Sequence, residues 1–470
     1  MDITNYLKEH EDKDMLRFLT CGSVDDGKST LIGRLLYDAK MILDDQLAAV
    51  ESESKKYGTT GEKIDMALFV DGLQSEREQG ITIDVAYRFF TTENRKFIIA
   101  DTPGHEQYTR NMVTGASTAD VAIILIDARK GILSQTRRHS YIVSLLGIEH
   151  IIVAINKMDL VDYNQEVFGK ISQDYVQLAN ELKIKNTYYI PLSALDGDNV
   201  VDRSENMPWF SEKPLLSLLD TMDISKKIKE EKFRFPVQYV NRPNLDFRGF
   251  CGTIAAGSVK VGDKITVLPS QKSTRVKSII NSGDITERNC KSLSKEAFVP
   301  MAITITTEDE VDISRGDMIV HSDALPSLSN SLDVMLVWMD ESEMDTEKNY
   351  DIKRATSVIS GIFEAINYKV DINTYEKDEV KSLALNDISS CRLLLTHPIA
   401  FDTYRQNRET GSFIVVDRIT NNTVGAGMIM GLTQKYEDTD MELSREYTNE
   451  EKALNQYVRD NFPEWNCRAI

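Results

Sequence analysis

The sequence has few cysteines, few histidines and no long apolar run. Its five cysteines are scattered, odd in number and never spaced as C-x-x-C, which argues against structural disulfides and a zinc site. The six histidines form no cluster with metal-ligand spacing. No run approaches the roughly 18 apolar residues of a membrane span, and residues 1–5 lack the basic start of a signal peptide. These absences predict a cytoplasmic protein with no membrane partner.

The charge balance is acidic, with a net charge of −19. Because nucleic-acid binding depends on neutralising phosphates, this charge disfavours a long nucleic-acid contact, and no nucleic-acid partner is expected. A hydrophobic fraction of 41% and a charged fraction of 27% are typical of globular proteins. A length of 470 residues exceeds what one core supports, so several domains are expected.

Residues 22–30 match the phosphate-binding pattern G-x-x-x-x-G-K-[ST]. They follow an apolar run at 16–20 that is typical of a strand and precede a helical stretch at 31–36. Backbone N–H groups at a glycine-rich turn and a helix start bind polyphosphates, which favours this interpretation over a chance turn. Lys28 is expected at the outer phosphates and the Ser29 hydroxyl on Mg²⁺. The predicted phosphate-binding residues are Gly22, Ser23, Val24, Asp25, Asp26, Gly27, Lys28, Ser29 and Thr30.

A second phosphate element, Asp-Thr-Pro-Gly, follows the strand-like run 97–100. Alone, D-x-x-G is equally an ordinary turn, but its place after a strand and downstream of the first loop favours a nucleotide contact. Asp101 is expected to hold Mg²⁺ through water, and the Gly104 N–H is expected to contact the γ-phosphate. The predicted phosphate-contacting residues of this element are Asp101, Thr102, Pro103, Gly104 and His105.

Hydrolysis of a nucleoside triphosphate needs a polar group that orients the attacking water, and His105 is the candidate. A lone histidine would otherwise be an ordinary surface residue. Val24 and Ile81 are expected to flank it as an apolar gate, and Thr82 is the expected second hydroxyl on Mg²⁺. The predicted catalytic residues are His105, Lys28, Thr82 and Gly104, and the predicted metal-binding residues are Ser29, Thr82 and, through water, Asp101.

Asn156-Lys157-Met158-Asp159 follows the apolar run 151–155. The Asp159 carboxylate can accept two parallel hydrogen bonds, from N1–H and the exocyclic amine of guanine, and adenine lacks that donor pair. By itself N-x-x-D is a common polar turn. A further strand-like run at 188–192 precedes Ser193-Ala194, where the Ala194 N–H is expected at guanine O6. The predicted guanine-binding residues are Asn156, Lys157, Asp159, Ser193, Ala194 and Leu195.

Apolar runs at 16–21, 97–100, 121–126, 151–155 and 188–192 alternate with helical stretches. Such runs indicate strands buried on both faces of a parallel sheet. They predict an α/β P-loop GTPase domain with a doubly wound, mostly parallel sheet, whose ligands bind at the carboxyl ends of the strands.

A charged linker at 225–232 is followed by two sets of short β-rich runs, which predict two small β-barrel domains. The first set lies at 235–240, 249–255, 263–268, 275–280 and 301–306. The second lies at 334–338, 354–358, 382–385, 391–395 and 413–418. The predicted domains are 15–223, 232–323, 330–432 and an acidic tail with a C-terminal helix at 433–470.

These motifs, followed by two barrels, resemble the elongation factor Tu and elongation factor 1-alpha class of GTPases. Within that class, roughly residues 15–432 are similar to the GTPase subunits of bacterial sulfate adenylyltransferases. The stretches 22–36, 70–88, 101–117 and 244–253 carry the likeness. The resemblance implies a subunit that binds GTP and Mg²⁺ and hydrolyses GTP. It also implies that hydrolysis drives ATP and sulfate to adenosine 5′-phosphosulfate and pyrophosphate on a smaller, CysD-like catalytic subunit in a heterodimer.

Two other functions remain open on the sequence alone. One is a translation-type GTPase that delivers aminoacylated RNA, although such factors usually carry His and Lys-Thr where this chain has Asp26 and Lys28-Ser29. The other is a GTP-dependent switch or scaffold that does not hydrolyse GTP.

Overall fold

The computed structural model describes residues 13–39, 50, 54, 66–70, 82, 84–224, 232–244, 247–281, 292–433, 454–457 and 459. The predicted gate residue Ile81, residues 225–231 of the predicted linker and most of the predicted tail lie outside the described residues.

Six strands form the first sheet: β1 Asp14–Gly22, β2 Ala86–Thr91, β3 Arg95–Asp101, β4 Val121–Asp127, β5 His150–Asn156 and β6 Asn186–Pro191. Their order is β2-β3-β1-β4-β5-β6, and every neighbouring pair except β2-β3 is parallel. All seven residues of β4 are buried, which explains the unbroken apolar run there. The five runs predicted as strands fall in β1, β3, β4, β5 and β6, although Leu192 lies just beyond β6. The predicted mostly parallel α/β class is confirmed.

The edge strand β2 was not predicted, because it lacks an apolar run. It pairs antiparallel with β3. Phe90 is buried and stacks on Phe97 with ring centroids 4.6 Å apart, whereas Tyr87 and Phe89 are exposed. Exposed and more buried side chains therefore alternate along β2, as expected of an antiparallel strand with one solvated face.

The helices described beside this sheet are α1 Lys28–Asp38, α2 Thr109–Ser117, α3 Ser134–Leu145, α4 Gln165–Glu181 and α5 Leu215–Thr221. Helix α4 is preceded by its N-cap residue Asn164, whose side chain accepts the Glu166 N–H at 2.7 Å. Helix α1 instead begins after Gly27, with no side-chain cap from the described chain. A helix N-terminus without such a cap presents N–H groups that favour an anion. Within the described ranges no helix is long and apolar enough to cross a membrane.

The second sheet encloses its own apolar core, which includes Phe235, Phe250 and Ile279. Its order is β7-β16-β11-β12-β15-β9-β8, with β13 beside β12, and β10 pairs separately with β14. Strand β7, at one end of this order, also approaches the segment just after β9, since Arg234 forms an antiparallel bridge with Ala256. The strands are β7 Arg234–Pro236, β8 Tyr239–Asn244, β9 Phe247–Thr253, β10 Ser258–Lys260, β11 Lys264–Leu268, β12 Lys272–Asn281, β13 Ser292–Ser294, β14 Glu296–Phe298, β15 Ala302–Thr307 and β16 Met318–His321. The predicted run 235–240 is therefore divided between β7 and β8.

The third sheet is a closed ring of six strands in the order β18-β22-β23-β17-β21-β19, because β19 pairs back with β18. Strand β20 lies beside β19, and a short helix, α6 Arg408–Gly411, precedes β22. The strands are β17 Ser327–Trp338, β18 Tyr350–Arg354, β19 Ser357–Val370, β20 Lys377–Asp378, β21 Ile388–Phe401, β22 Ser412–Asp417 and β23 Thr423–Leu432.

Two runs predicted as strands in this barrel are wrong. Residues 354–358 contain the turn between β18 and β19, where Arg354 faces Ser357 and Ala355 has a φ of 41°. Residues 382–385 are not a strand; Leu383 is fully buried in the barrel core and its carbonyl accepts the Met344 N–H at 2.9 Å. The first run lacks the glycine or asparagine of a typical turn, and the second is apolar because it fills the core.

The closed barrel packs against the first domain through apolar and polar contacts. Val337, Ile388 and Met428 of the barrel belong to the same apolar cluster as the core of the first domain. Tyr375 stacks on Tyr141 of α3 with ring centroids 5.6 Å apart. Residues 1–431 form one compact unit and residues 432–470 a second, in which 454–457 are helical. The division of the first unit at 223, 232, 323 and 330 stays a proposal, and β17 begins before residue 330.

Candidate functional site

One cavity of about 460 Å³ lies at the carboxyl ends of the parallel strands. That volume is within the range of small-molecule binding sites. It gathers residues from the phosphate loop, the 3₁₀ turn at Met66–Phe69, the loops after β3, β5 and β6, and Thr82. The lining residues are Val24, Asp25, Gly27, Lys28, Ser29, Thr30, Ala67, Thr82, Gly104, His105, Asn156, Lys157, Asp159, Leu160, Ser193, Ala194 and Leu195.

The phosphate loop connects β1 to α1, and its backbone at Gly27 adopts a conformation that favours glycine. Gly27 has a φ of 91°, and a Cβ there would lie 2.5 Å from the Asn156 Nδ2. No side chain fits between this turn and the base-side loop without displacing one of them. The loop therefore passes close to Asn156, which joins the two halves of the cavity.

The Lys28 ammonium lies under the loop, and its side chain is 7% exposed. It donates to the Gly22 carbonyl at 3.2 Å and to the Ser23 carbonyl at 2.8 Å. Burial lowers the pKa of Lys28, although the charge of Asp101 acts in the opposite direction. A buried cation beside an uncapped helix N-terminus is an arrangement that suits a polyphosphate.

Asp26 points into the loop rather than into the cavity. It is 1% exposed, and its Oδ2 accepts the Ser23 N–H at 2.7 Å. Burial raises the pKa of this carboxyl, with Lys28 acting against that shift. Gly22, Ser23 and Asp26 do not line the cavity, so these three shape the loop while its other predicted residues face inward.

The oxygens predicted for Mg²⁺ come together, although they are far apart in sequence. The Ser29 hydroxyl lies 3.4 Å from the Thr82 hydroxyl and 3.4 Å from the Asp101 Oδ2. The Thr20 hydroxyl donates to the other Asp101 oxygen at 3.3 Å. In the part of the chain that is described, no group of three or more histidines, cysteines or carboxylates forms a metal site. A mixed set of hydroxyl and carboxylate oxygens matches the ligand preference of Mg²⁺.

Gly104 lies against the phosphate loop, and His105 faces solvent at the cavity. A Cβ on Gly104 would lie 2.6 Å from the Lys28 ammonium and 2.9 Å from the Gly22 carbonyl oxygen. His105 is exposed, and its Nδ1 accepts the Gln107 N–H at 3.4 Å. Asp101, Thr102 and Pro103 do not line the cavity. The second phosphate element, residues 101–105, therefore faces the cavity only through Gly104 and His105.

Asn156 links three loops through one side chain. Its Nδ2 donates to the Asp26 carbonyl at 2.7 Å, and its Oδ1 accepts the N–H groups of Lys157 at 2.8 Å and Ala194 at 2.9 Å. The Ala194 N–H, predicted to bind guanine O6, is therefore paired within the protein here. Buried N–H groups take the nearest acceptor, and Asn156 supplies it.

The carboxylate of Asp159, which the sequence predicts to bind the base, has one buried oxygen, Oδ1, without a hydrogen-bond partner among the described residues. Lys157 has a φ of 63° and its ammonium contacts the Asp25 carbonyl. An unsatisfied buried acceptor is costly in a folded protein. It fits a ligand that brings N–H donors, as guanine does.

Two charged or titratable residues near the cavity were missed by the sequence analysis. Asp127, at the end of β4, lies 2.7 Å from Arg129 and 3.3 Å from the Lys157 ammonium. Burial raises its pKa, but hydrogen bonds from Arg129 and Lys157 outweigh burial and bring it to about 2. The available signal was its position after a buried strand. His139 of α3, buried beneath the phosphate loop, belongs to no recognisable motif.

Comparisons with known proteins agree on the family. A model of the elongation factor Tu GTP binding domain matches residues 13–226, and one of the GTP-eEF1A C-terminal domain-like family matches residues 331–430. Sulfate adenylyltransferase subunit 1 of Sulfurovum sp. is 75% identical over 470 residues, covering 100% of this chain and 98% of that protein. The same-named protein of Aliarcobacter butzleri is 59% identical over 471 residues, again covering 100% and 98%. This chain therefore belongs to the family of sulfate adenylyltransferase subunit 1 proteins and carries a GTP-binding domain of the elongation factor Tu type.

Proposed function

We propose that GTP hydrolysis on this chain drives sulfate activation on a smaller, CysD-like catalytic subunit in the cytoplasm. ATP and sulfate react there to adenosine 5′-phosphosulfate and pyrophosphate, a reaction that is unfavourable by itself. The observation that carries the proposal is the convergence of Lys28, Gly104 and Asp159, from loops after three different strands, on one cavity. Family membership favours this function over RNA delivery and over a scaffold that does not hydrolyse GTP.

The two ends of the cavity bind different parts of GTP, the phosphates at one end and guanine at the other. The phosphates lie at the N-terminus of α1, where Lys28 and the loop N–H groups compensate their charge. The Asp159 carboxylate accepts the N1–H and the exocyclic amine of guanine. Asn156 holds the loops of both ends together through its contacts with Asp26 and Ala194.

Ser29, Thr82 and, through water, Asp101 would hold Mg²⁺, and the Thr82 hydroxyl and one Asp101 oxygen already lie within hydrogen-bonding distance of the Ser29 hydroxyl. When bound, the ion neutralises phosphate charge. Thr82 in addition contacts the γ-phosphate side of the site, so its position depends on whether GTP or GDP is present.

In the hydrolysis step, the water oxygen bonds to the γ-phosphorus, the bond from that phosphorus to the β–γ bridging oxygen breaks, and GDP leaves with that oxygen. Both water protons stay on the inorganic phosphate that is formed. His105 orients the water, and Lys28 stabilises the charge on the transferring group. Contacts of Thr82 and Gly104 exist with GTP and not with GDP. Such differential contacts are the means by which nucleotide state can alter a partner's active site.

The test is an assay of pyrophosphate release by this chain after co-expression with the neighbouring open reading frames, among which the catalytic subunit is sought. We expect release to require ATP, sulfate and hydrolysable GTP together, and to fall by at least about 100-fold in Lys28→Ala. Lys183→Ala, a change of an exposed lysine after α4, should leave the rate unchanged. Pyrophosphate release independent of GTP would refute the coupling, and salt-sensitive binding of aminoacylated RNA without an adenylyl-transferring partner would favour RNA delivery.

A further inference from the structure

His139 is a buried histidine that the GTP-binding motifs do not include. It lies on α3, is 1% exposed, and contacts the first residue of the phosphate loop. The Gly22 N–H donates to the His139 Nδ1 at 3.0 Å. Because the backbone N–H is the donor, Nδ1 must carry a lone pair, so the imidazole is neutral with its proton on Nε2. Complete burial, together with the nearby charges of Lys28 and Arg138, lowers its pKa to about 3.

Gly22 occupies a position where the backbone has little room to move. It ends β1 opposite Leu125 of β4, and a Cβ on Gly22 would lie 2.6 Å from the Leu125 carbonyl oxygen. Its own carbonyl accepts the Lys28 ammonium at 3.2 Å. One residue therefore links His139 through its N–H group and Lys28 through its carbonyl.

We propose that His139 is a positioning residue of the phosphate loop: by accepting the Gly22 N–H, it fixes the loop carbonyls that orient the Lys28 ammonium. Without that acceptor, the buried Gly22 N–H has to turn toward another partner. That rotation changes the φ angle of Gly22 and so displaces its carbonyl, and Lys28 loses one of its two loop contacts. The inference rests on the proposed GTP site, because Lys28 is the group that it places.

Two substitutions separate the hydrogen bond from simple packing. In His139→Asn, the side-chain oxygen stands at the place of Nδ1 and keeps an acceptor for Gly22. In His139→Gln, the amide group stands at the place of Nε2 and the acceptor is lost, although more of the side-chain volume is kept. GTP affinity is measured by titration of the full-length protein with a fluorescent GTP analogue, and the melting temperature is measured alongside.

We expect His139→Gln and His139→Ala to weaken GTP binding by about tenfold or more, which corresponds to one lost hydrogen bond, and His139→Asn to stay within about threefold of the wild type. His150→Gln is the matched control, because His150 is a partly buried histidine of the same domain that stacks on Tyr188. Its affinity should equal that of the wild type.

Wild-type affinity in His139→Gln or His139→Ala would overturn the inference. So would an affinity that falls further in His139→Asn than in His139→Gln, since that order follows lost volume and not the lost acceptor. A wild-type protein that does not bind the GTP analogue would instead refute the proposed function.

Discussion

Arg234 and Asp402 form a two-pronged ion pair between the two barrels, with Nε–Oδ2 and NH2–Oδ1 distances of 2.7 and 2.9 Å. The Arg234 side chain is 1% exposed and that of Asp402 is 12% exposed. The Asp402 Oδ2 also accepts a hydrogen bond from the Thr410 hydroxyl at 2.9 Å. Arg234 in addition donates through NH1 to the Ala324 carbonyl at 2.8 Å. The pair therefore joins β7 of the first barrel to the segment after β21 of the second.

Removing one partner of this pair should destabilise the protein strongly. We expect Asp402→Asn to lower the free energy of unfolding by about 3–5 kcal/mol, because the Arg234 guanidinium is left buried without its counter-charge. Urea denaturation at neutral pH measures this. The control is Glu296→Gln in the exposed Lys260–Glu296 pair, where the change should stay below about 1 kcal/mol. A similar small change in both variants would show that the buried pair adds nothing.

The same pair predicts a pH dependence. Burial raises the pKa of Asp402, but the hydrogen bond and charge of Arg234 outweigh burial, and the pKa lies below its ordinary value of 3.8. A carboxyl with a lowered folded-state pKa contributes stability that is complete above the ordinary value and is lost as the pH falls through the folded-state pKa. The stability difference between wild type and Asp402→Asn should therefore be constant near neutrality and shrink below about pH 4. Urea denaturation along a pH series tests this, and a difference that persists into strong acid would contradict it.

The substitution Asp159→Asn should shift the protein's preference from guanine nucleotides to xanthine nucleotides. The carboxylate accepts two N–H groups of guanine, whereas the asparagine amide supplies a donor that matches the second carbonyl of xanthine. We expect GTP affinity to fall by about 100-fold or more and xanthosine triphosphate affinity to rise, measured by competition binding. Asp162→Asn is the control, since Asp162 is exposed in the same loop and has a φ of 51°, which asparagine tolerates. Equal preference in both variants would count against the base assignment.

The elements that were predictable from sequence are those whose signal is local. Strands β4 and β5 are buried on both faces, so an apolar run is enough to identify them. Each loop motif follows a strand of the first sheet, and parallel strands present their carboxyl ends at one edge. This explains why Lys28 and Asp159 line the same cavity.

The contacts that escaped prediction depend on side chains brought together from distant segments. His139 meets Gly22 only because α3 passes beneath β1, and no spacing in the sequence records that crossing. The run around Leu383 predicts a strand because burial in the barrel core produces the same apolar pattern as a buried strand. Ala194 illustrates a third limit, since its N–H has a competing acceptor in Asn156 that is 38 residues away.

His105→Ala should slow GTP hydrolysis and leave GTP binding nearly unchanged. His105 is exposed at the cavity, so its removal costs little packing, while the attacking water loses the group that orients it. We expect a fall in kcat of about 100-fold or more, measured by phosphate release in the presence of the partner subunit, with the Kd for GTP within about threefold. His397→Ala, an exposed histidine in β21, is the control. Wild-type turnover in His105→Ala would remove the proposed role.

Gly104→Ala should weaken GTP binding more than GDP binding. The added Cβ would lie 2.6 Å from the Lys28 ammonium and 2.9 Å from the Gly22 carbonyl oxygen, so the loop after β3 must move away from the phosphate loop. Gly104 is expected to contact the γ-phosphate, which GDP lacks, and its displacement should lower GTP affinity about tenfold with a smaller effect on GDP. Titrations with both nucleotides measure the ratio. Gly169→Ala is the matched control, because a Cβ there meets no atom within 4 Å and alanine is the better helix former in α4. It should leave both affinities unchanged, and an equal loss of GTP and GDP affinity in Gly104→Ala would place the contact elsewhere on the nucleotide.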